Sequence, residues 1–155
     1  MKPRIYLETT IPSYLTSFPS RDLVVAGHQQ TTRDWWDNRR VHFELFISQA
    51  VIDEVSMGDQ EMVKRRLEAL KGLAQLDVDE HALELSERLI TAGLLPRKAQ
   101  TDALHIALAT VNGMDYLITW NCKHIANAAI RRKIESVFRG EGYEVPLICT
   151  PEELL

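Results

Sequence analysis

Five short apolar runs alternate with longer segments whose apolar residues recur at helical spacing, and this alternation limits the folds open to the chain. Consecutive strands separated by helices favour a parallel sheet covered on both faces, which is an α/β architecture. The predicted strands are 5–7, 41–48, a weaker 75–78, 116–119 and 145–149. The predicted helices are 22–39, 49–57, 59–72, 79–92, 99–112 and 123–139, the last as one or two helices.

The bulk composition is that of an ordinary globular protein. A length of 155 residues, with 45% apolar and 26% charged residues, suits one compact domain spanning 1–155. A formal net charge of −4 argues against a purely electrostatic nucleic-acid binder, but not against an enzyme with a local basic patch. Two isolated cysteines, Cys122 and Cys149, and no apolar run near the ~18 residues of a membrane span lead us to expect a cytoplasmic protein without a disulfide framework.

Polar residues follow two of the predicted strands at the point where each strand ends. The first strand is followed by Glu8-Thr9-Thr10, and the fourth is followed by Trp120-Asn121 after Thr119. Ligands of open α/β sheets bind outside the carboxyl ends of the strands, where the strand order reverses. A site would therefore form here if the first and fourth strands are neighbours.

Three acidic residues each have a plain structural explanation beside a functional one. The carboxylate of Glu8 ends a buried strand, so it needs a solvated loop, a salt bridge or a metal ion. Asp102 opens an apolar helix, where it would stabilise the N-terminal dipole by ~0.3–1 kcal/mol without any catalytic role. His105 lies three residues further on, near the same helix face. Glu54 lies on a short helix and taken alone would be a solvated residue.

Common catalytic motifs of other enzyme classes are absent from the sequence. It contains no G-x-x-x-x-G-K-[ST], no G-x-G-x-x-G and no G-x-S-x-G. The five histidines show no H-x-x-x-H spacing, which argues against a zinc site. No D-x-D follows the first strand, which argues against a phosphatase of the haloacid-dehalogenase kind.

Four segments, in order, resemble the PIN-domain family and in particular its VapC-like toxins. IYLETTIPSYL is similar to the opening strand, acid, hydroxyl residue and helix of that family. FISQAVIDEVSMGD resembles the strand and helix that carry the second acid, and QTDALHIALATVNGMDYLIT resembles the helix of the third acid and the strand after it. ITWNCKHI resembles the loop of the fourth acidic position. The resemblance covers nearly the whole chain.

The resemblance implies a fold, an activity and a set of site residues. The fold would be a three-layer α/β/α sandwich around a mainly parallel sheet of about five strands, with the first and fourth strands adjacent. The activity would be that of a ribonuclease dependent on Mg²⁺ or Mn²⁺, and the partners would be an RNA substrate, a cognate antitoxin and a second copy of the chain in a homodimer. The metal ligands would be Glu8, Glu54 and Asp102, and the further site residues Thr9, Thr119 and Asn121.

Two departures from the family pattern bear on activity. The first acid is Glu8, where the family usually has Asp, and the extra methylene moves the carboxylate by roughly 1.5 Å in a site that depends on placement. The fourth position holds the neutral Asn121. Three carboxylates suffice for one divalent ion but support a second one poorly, so a weak one-metal enzyme is expected. The alternatives are a degenerate PIN domain that binds RNA or protein without cleaving, and an unrelated α/β binding module.

Basic residues and a tryptophan pair supply two further expectations. Successive helical residues point ~100° apart, so one of Trp35 and Trp36 is expected in the core. The other is expected either on a surface for the dimer or antitoxin, or as a second core contact. Six basic residues are candidates for phosphate contacts, with a solvated basic surface as the alternative for each. They are Lys64, Arg65, Arg66, Arg97, Lys98 and Lys123.

Overall fold

The computed structural model describes all 155 residues, Met1–Leu155, and its five strands form one parallel sheet. The strand order is β3-β2-β1-β4-β5, and every neighbouring pair is parallel. The first and fourth strands are therefore adjacent, as the site prediction required. The strands are β1 Arg4–Leu7, β2 Glu44–Ser48, β3 Ala74–Leu76, β4 Tyr116–Ile118 and β5 Leu147–Cys149.

Seven α-helices flank the sheet and complete the predicted three-layer α/β/α sandwich. Helix α1 packs against α2 and α4, whereas α5 packs against α6 and α7. The α-helices are α1 Thr10–Thr16, α2 Leu23–Asn38, α3 Gln49–Val55, α4 Gln60–Leu70, α5 Glu80–Thr91, α6 Gln100–Val111 and α7 Ala128–Gly140. Short 3₁₀ helices span Arg40–His42, Arg97–Ala99 and Pro151–Leu154.

Side-chain caps fix where five of the helices begin. The carboxylate of Asp79, for example, accepts a hydrogen bond from the Ala82 amide at 2.9 Å, which satisfies a donor that the helix itself leaves unpaired. Ser48 plays the same part for α3 and thereby fixes the start of the helix that carries Glu54. The N-cap residues with such a bond are Asp22, Ser48, Asp59, Asp79 and Asn127.

One cluster of 32 buried hydrophobic residues forms the core between the layers. The three last residues of β1, Ile5–Leu7, are fully buried, as expected for a central strand of a parallel sheet. Helix α6 is buried around most of its circumference, which explains why its sequence is apolar on nearly every side. Both elements that lead into the candidate site are thus held by the core.

Two local expectations need correction, and one open alternative is decided. Strand β2 begins at Glu44 and not at 41, because Arg40–His42 form a 3₁₀ helix. The last long helix begins at Ala128, because 122–125 form turns and Asn127 supplies the cap. Of the two alternatives for the tryptophan pair, the structure shows the second core contact: Trp35 and Trp36 are both buried, and Arg40 stacks on the ring of Trp36. None of the helices combines the length and the apolar character needed to cross a membrane.

Candidate metal centre

Glu8 lies directly beyond β1, and hydrogen bonds explain why the fold tolerates a carboxylate there. The side chain is only 3% exposed. Its Oε1 accepts hydrogen bonds from the Thr10 amide at 3.0 Å, the Thr10 hydroxyl at 2.5 Å and the Thr119 hydroxyl at 2.7 Å. Three donors offset much of the cost of burying the charge. Its second oxygen, Oε2, has no protein donor and remains available to a ligand.

Glu54, on α3, is held in the same manner. Its Oε1 accepts hydrogen bonds from the Thr9 hydroxyl and from Nε2 of His105, each at 2.5 Å. Burial is the largest influence and raises the pKa of Glu54, but the hydrogen bonds from His105 and Thr9 help to lower the pKa below its ordinary value. The carboxylate is therefore held ionised, with Oε2 free of protein donors.

His105, which the sequence left as a lone histidine beside Asp102, belongs to this site. It is fully buried on α6, and its Nδ1 lies 2.7 Å from the Tyr6 hydroxyl. That hydroxyl is in turn 2.7 Å from Oγ of Ser48. Burial raises the pKa of Tyr6 far above its ordinary value, so the phenol keeps its proton. Tyr6 lies two residues before Glu8, so the two side chains point to the same side of the strand.

Glu8, Glu54 and His105 converge although they are far apart in the chain. One ligand atom from each lies within 4.8 Å of the others, which is close enough for a single ion. The geometry follows from the topology: β1 delivers Glu8, the helix after β2 delivers Glu54, and α6 delivers His105. Two of the three predicted metal acids thus meet in one cluster.

Asp102, the third predicted metal acid, lies outside that group of three. Its Oδ2 accepts a hydrogen bond from Nδ1 of His124 at 2.9 Å, and the two side chains are 20% and 18% exposed. Asp102 precedes His105 by three residues, which places it on the neighbouring turn of the same helix face. Its Oδ1 has no protein donor, so it repeats the arrangement of the two glutamates.

The remaining predicted site residues divide between the cluster and the loop after β4. Thr9 and Thr119 donate to the carboxylates of Glu54 and Glu8. Asn121 instead shapes the loop. Its Oδ1 accepts a hydrogen bond from the His124 backbone amide at 3.0 Å, and its own backbone amide donates to the Thr119 hydroxyl at 2.9 Å. This loop therefore positions both Thr119 and His124.

The six basic candidates occupy different local environments. Arg66 donates to the carbonyls of Val55 and Met57 and so closes the end of α3. The Arg65 guanidinium lies over the Phe18 ring, 4.6 Å from its centre, and Arg97 pairs with Glu87 at 2.7 Å. The candidates that are exposed and form no ion pair are Lys64, Lys98 and Lys123.

The protein resembles known proteins in its three-dimensional structure and not in its sequence. No protein-family model and no curated protein matches the sequence. The VapBC2 complex of Rickettsia felis, bound to a DNA fragment from its promoter, matches with a TM-score of 0.61 at 18% identity over 95% of this chain and 98% of that one. A toxin–antitoxin complex from Klebsiella pneumoniae matches with a TM-score of 0.56 at 22% identity, over 80% and 92%.

A third solved structure has the same fold. FitAcB from Neisseria gonorrhoeae matches with a TM-score of 0.55 at 13% identity, over 95% of this chain and 97% of that one. At these identities the shared property is the arrangement of helices and strands. The chain has the three-layer PIN-like fold that its sequence predicts, in common with chains of toxin–antitoxin complexes.

Proposed function

We propose that the protein is a divalent-metal-dependent ribonuclease of the PIN type and the toxin of a type II toxin–antitoxin pair. One observation carries the proposal. Glu8, Glu54 and Asp102 are each bound by protein donors through one oxygen only, so each keeps the other oxygen free at the carboxyl edge of the sheet. Carboxylates that only supported the fold would not need to share this arrangement.

The donor set fits Mg²⁺ or Mn²⁺. These ions prefer oxygen ligands, and Glu8 and Glu54 would hold one ion through their free oxygens. Asp102, which lies outside their cluster on the neighbouring turn of α6, would be the third ligand. A bound divalent ion would supply Lewis-acid polarisation of the phosphodiester and would offset the charge that develops on it.

The chain's own residues then have defined tasks. Thr10 and Thr119 fix the orientation of Glu8, Thr9 and His105 fix that of Glu54, and His124 fixes that of Asp102. A carboxylate restrained in this way loses little conformational freedom when it binds a ligand. The unpaired cations Lys98 and Lys123 lie in segments adjoining the site residues and would contact substrate phosphates, with Lys64, Arg65, Arg66 and Arg97 as further candidates.

The fold is the basis for proposing a binding partner and an oligomeric state. The similar structures are toxin–antitoxin complexes, so we assign this chain a cognate antitoxin as partner. We further propose a homodimer, a single domain over 1–155 and a cytoplasmic location. Sedimentation velocity of the purified chain tests the dimer, since a monomer at all concentrations contradicts it.

A non-cleaving PIN domain is the second candidate function. It is favoured by Asn121, which contributes no charge and whose carbonyl oxygen is engaged by the His124 amide. Such a protein would bind RNA without hydrolysing it. Unchanged RNA together with saturable binding in the presence of Mg²⁺ or Mn²⁺ would establish this candidate over the first.

Purified protein incubated with structured RNA in Mg²⁺, Mn²⁺ or chelator tests the enzyme directly. We expect cleavage with metal, none in chelator, and a loss of about 100-fold or more in Asp102→Asn, because the substitution keeps the shape but removes a ligand charge. Asp53→Asn is the matched control, since Asp53 neighbours Glu54 on α3 but is exposed and bonds only to Gln49. Cleavage that persists in chelator, or in Asp102→Asn at the parent rate, contradicts the proposal.

A further inference from the structure

We propose that Tyr6 and Ser48 are positioning residues that hold His105 with its proton on Nε2, so that His105 donates to Glu54 and does not itself bind the metal. The inference rests on the proposed function for its use of the metal, but the tautomer of His105 is a property of the folded chain alone. It assigns a role to three buried polar side chains that the sequence did not connect with the site.

The direction of the hydrogen bonds follows from what each group can donate. An ionised Glu54 carboxylate only accepts, so Nε2 of His105 must carry the proton that lies between them. In the single-proton form proposed for His105, Nδ1 then accepts, and the Tyr6 hydroxyl donates to it. Ser48 in turn donates to the Tyr6 oxygen and accepts from the Val51 amide at 3.4 Å.

Burial removes the alternatives that water would otherwise offer. Tyr6, Ser48 and His105 are all fully buried, so each polar group depends on the next one in the chain of hydrogen bonds. The opposite tautomer would turn the Nε2 lone pair towards the Glu54 carboxylate at 2.5 Å, and two facing acceptors repel each other. With a single proton on the imidazole and an ionised Glu54, every bond in the chain is satisfied only when all donors point towards Glu54.

His105 could either bind the metal itself or donate a hydrogen bond to Glu54, and this arrangement favours the second role. A nitrogen that carries a proton has no lone pair for a metal, so the ion is left to the carboxylate oxygens. His105 instead occupies Oε1 of Glu54 and directs the free Oε2 outward. Because the same Ser48 also caps α3, it fixes both the helix that carries Glu54 and the donor that orients its carboxylate.

Nuclear magnetic resonance of the isotope-labelled histidine nitrogens tests the inference on the unmodified protein. We expect His105 to show a protonated Nε2 and a bare Nδ1, and the Nε2 proton signal to persist at saturating Mg²⁺, which is diamagnetic. A proton on Nδ1 in the metal-free protein, or loss of the Nε2 proton on adding Mg²⁺, overturns it. Neither NMR observation depends on RNA cleavage, so a protein that does not cleave RNA could still confirm or contradict this tautomer of His105.

A pair of tyrosine variants tests the positioning role. Tyr6→Phe removes the donor to Nδ1 and frees the imidazole to rotate, so the Nε2 proton signal should broaden and Mn²⁺ affinity should fall by about 10–100-fold. Tyr116→Phe is the matched control, because the Tyr116 hydroxyl forms no hydrogen bond and its ring packs edge-on against Phe43. Parent-like Mn²⁺ affinity and a parent-like His105 spectrum in folded Tyr6→Phe contradict the role, and if that variant does not fold, the spectrum of the parent still decides.

Discussion

At Glu8 one carboxylate oxygen accepts three hydrogen bonds, and this makes the hydroxyl donors the most sensitive atoms of the site. Thr119 is the central one, since its hydroxyl donates to Glu8 and accepts from the Asn121 amide. The residue is fully buried, so no water replaces it if it is lost. Loss of a single hydroxyl oxygen is therefore expected to disturb the position of the Glu8 carboxylate.

Thr119→Val should destabilise the protein and weaken metal binding together. The substitution keeps the shape but leaves the Asn121 amide unpaired and Glu8 with two donors, at an expected cost of about 1–3 kcal/mol in the free energy of unfolding. Urea unfolding and Mn²⁺ titration measure the two effects. Thr110→Val is the control, since the Thr110 hydroxyl bonds only back to the Ile106 carbonyl within α6. Equal effects in both variants would show that Thr119 has no special relation to Glu8.

Single residues also mark the limit of what the sequence could predict. The acid at the end of β1 was identifiable because a buried strand rarely stops at a carboxylate without a reason. The chain of Tyr6, Ser48 and His105 was not identifiable, because its bonds join residues 42 and 99 positions apart. A tyrosine in an apolar strand and a histidine in an apolar helix fit an ordinary core, and only their relative placement reveals the contact.

At the scale of elements, α3 depends on other parts of the chain at both of its ends. Ser48 caps its first turn. At its last turn the Arg66 guanidinium, from α4, donates to the Val55 carbonyl at 3.0 Å from Nε and Nη2, and to the Met57 carbonyl at 2.7 Å. These carbonyls have no partner within the helix, so Arg66 supplies what the helix lacks. The short helix that carries Glu54 is thus fixed by α4.

Two substitutions on α4 should therefore affect different properties, one the stability of the protein and the other its affinity for RNA. Arg66→Met should lower the free energy of unfolding by about 1–2 kcal/mol, because two carbonyls lose a charged donor. Lys64→Met, on an exposed side chain of the same helix, should leave stability within about 0.5 kcal/mol and lower only the affinity for RNA. Urea unfolding and RNA titration of both proteins separate the roles. Parent-like stability of Arg66→Met would contradict the capping role.

The elements themselves were predictable where apolar spacing and caps agreed. Helix α5 was predicted over 79–92 and spans Glu80–Thr91, because Asp79 lies just before the helix and caps its first turn. The prediction was wrong at 41–43 because Val41 and Phe43 look like the start of a strand, whereas Arg40–His42 adopt a 3₁₀ helix. Propensity describes single residues, but the start of β2 is set by its register with β1, in which Arg4 pairs with Glu44.

At the scale of the whole molecule, the order of strands is what brings the site together. The residues alone predicted parallel strands, but only the resemblance to PIN domains placed the first strand beside the fourth. Pairing of β1 with both β2 and β4 puts Glu8 in the middle of the sheet. The β5 strand completes the edge beside β4, where Ile118 pairs with Cys149 and the Thr119 amide donates to the Cys149 carbonyl at 3.0 Å.

The reactivity of Cys149 measures whether β5 separates from β4 only when the whole protein unfolds. Its side chain is 2% exposed, and burial, followed by the charge of Glu153 and opposed by Arg131, raises its pKa to about 12. Cys122 is exposed. Ellman's reagent should therefore label one thiol quickly in the native protein and the second slowly. In Cys122→Ser, the labelling rate of Cys149 should give an opening free energy equal to that from urea unfolding, if β5 opens only on global unfolding.

The same thiol sets the direction of a pH effect. Its pKa rises from 9.0 to about 12 on folding, so between these values the folded chain keeps a proton that the unfolded chain releases. Stability from this group is therefore complete below pH 9.0 and decreases as the pH rises towards 12. Cys149→Ala should lack this decrease when the two proteins are compared by urea unfolding along an alkaline series. Parallel pH profiles, or labelling of Cys149 as fast as that of Cys122, would show that β5 separates from β4 in the native state and that Thr119 is less firmly held beside Glu8 than its burial indicates.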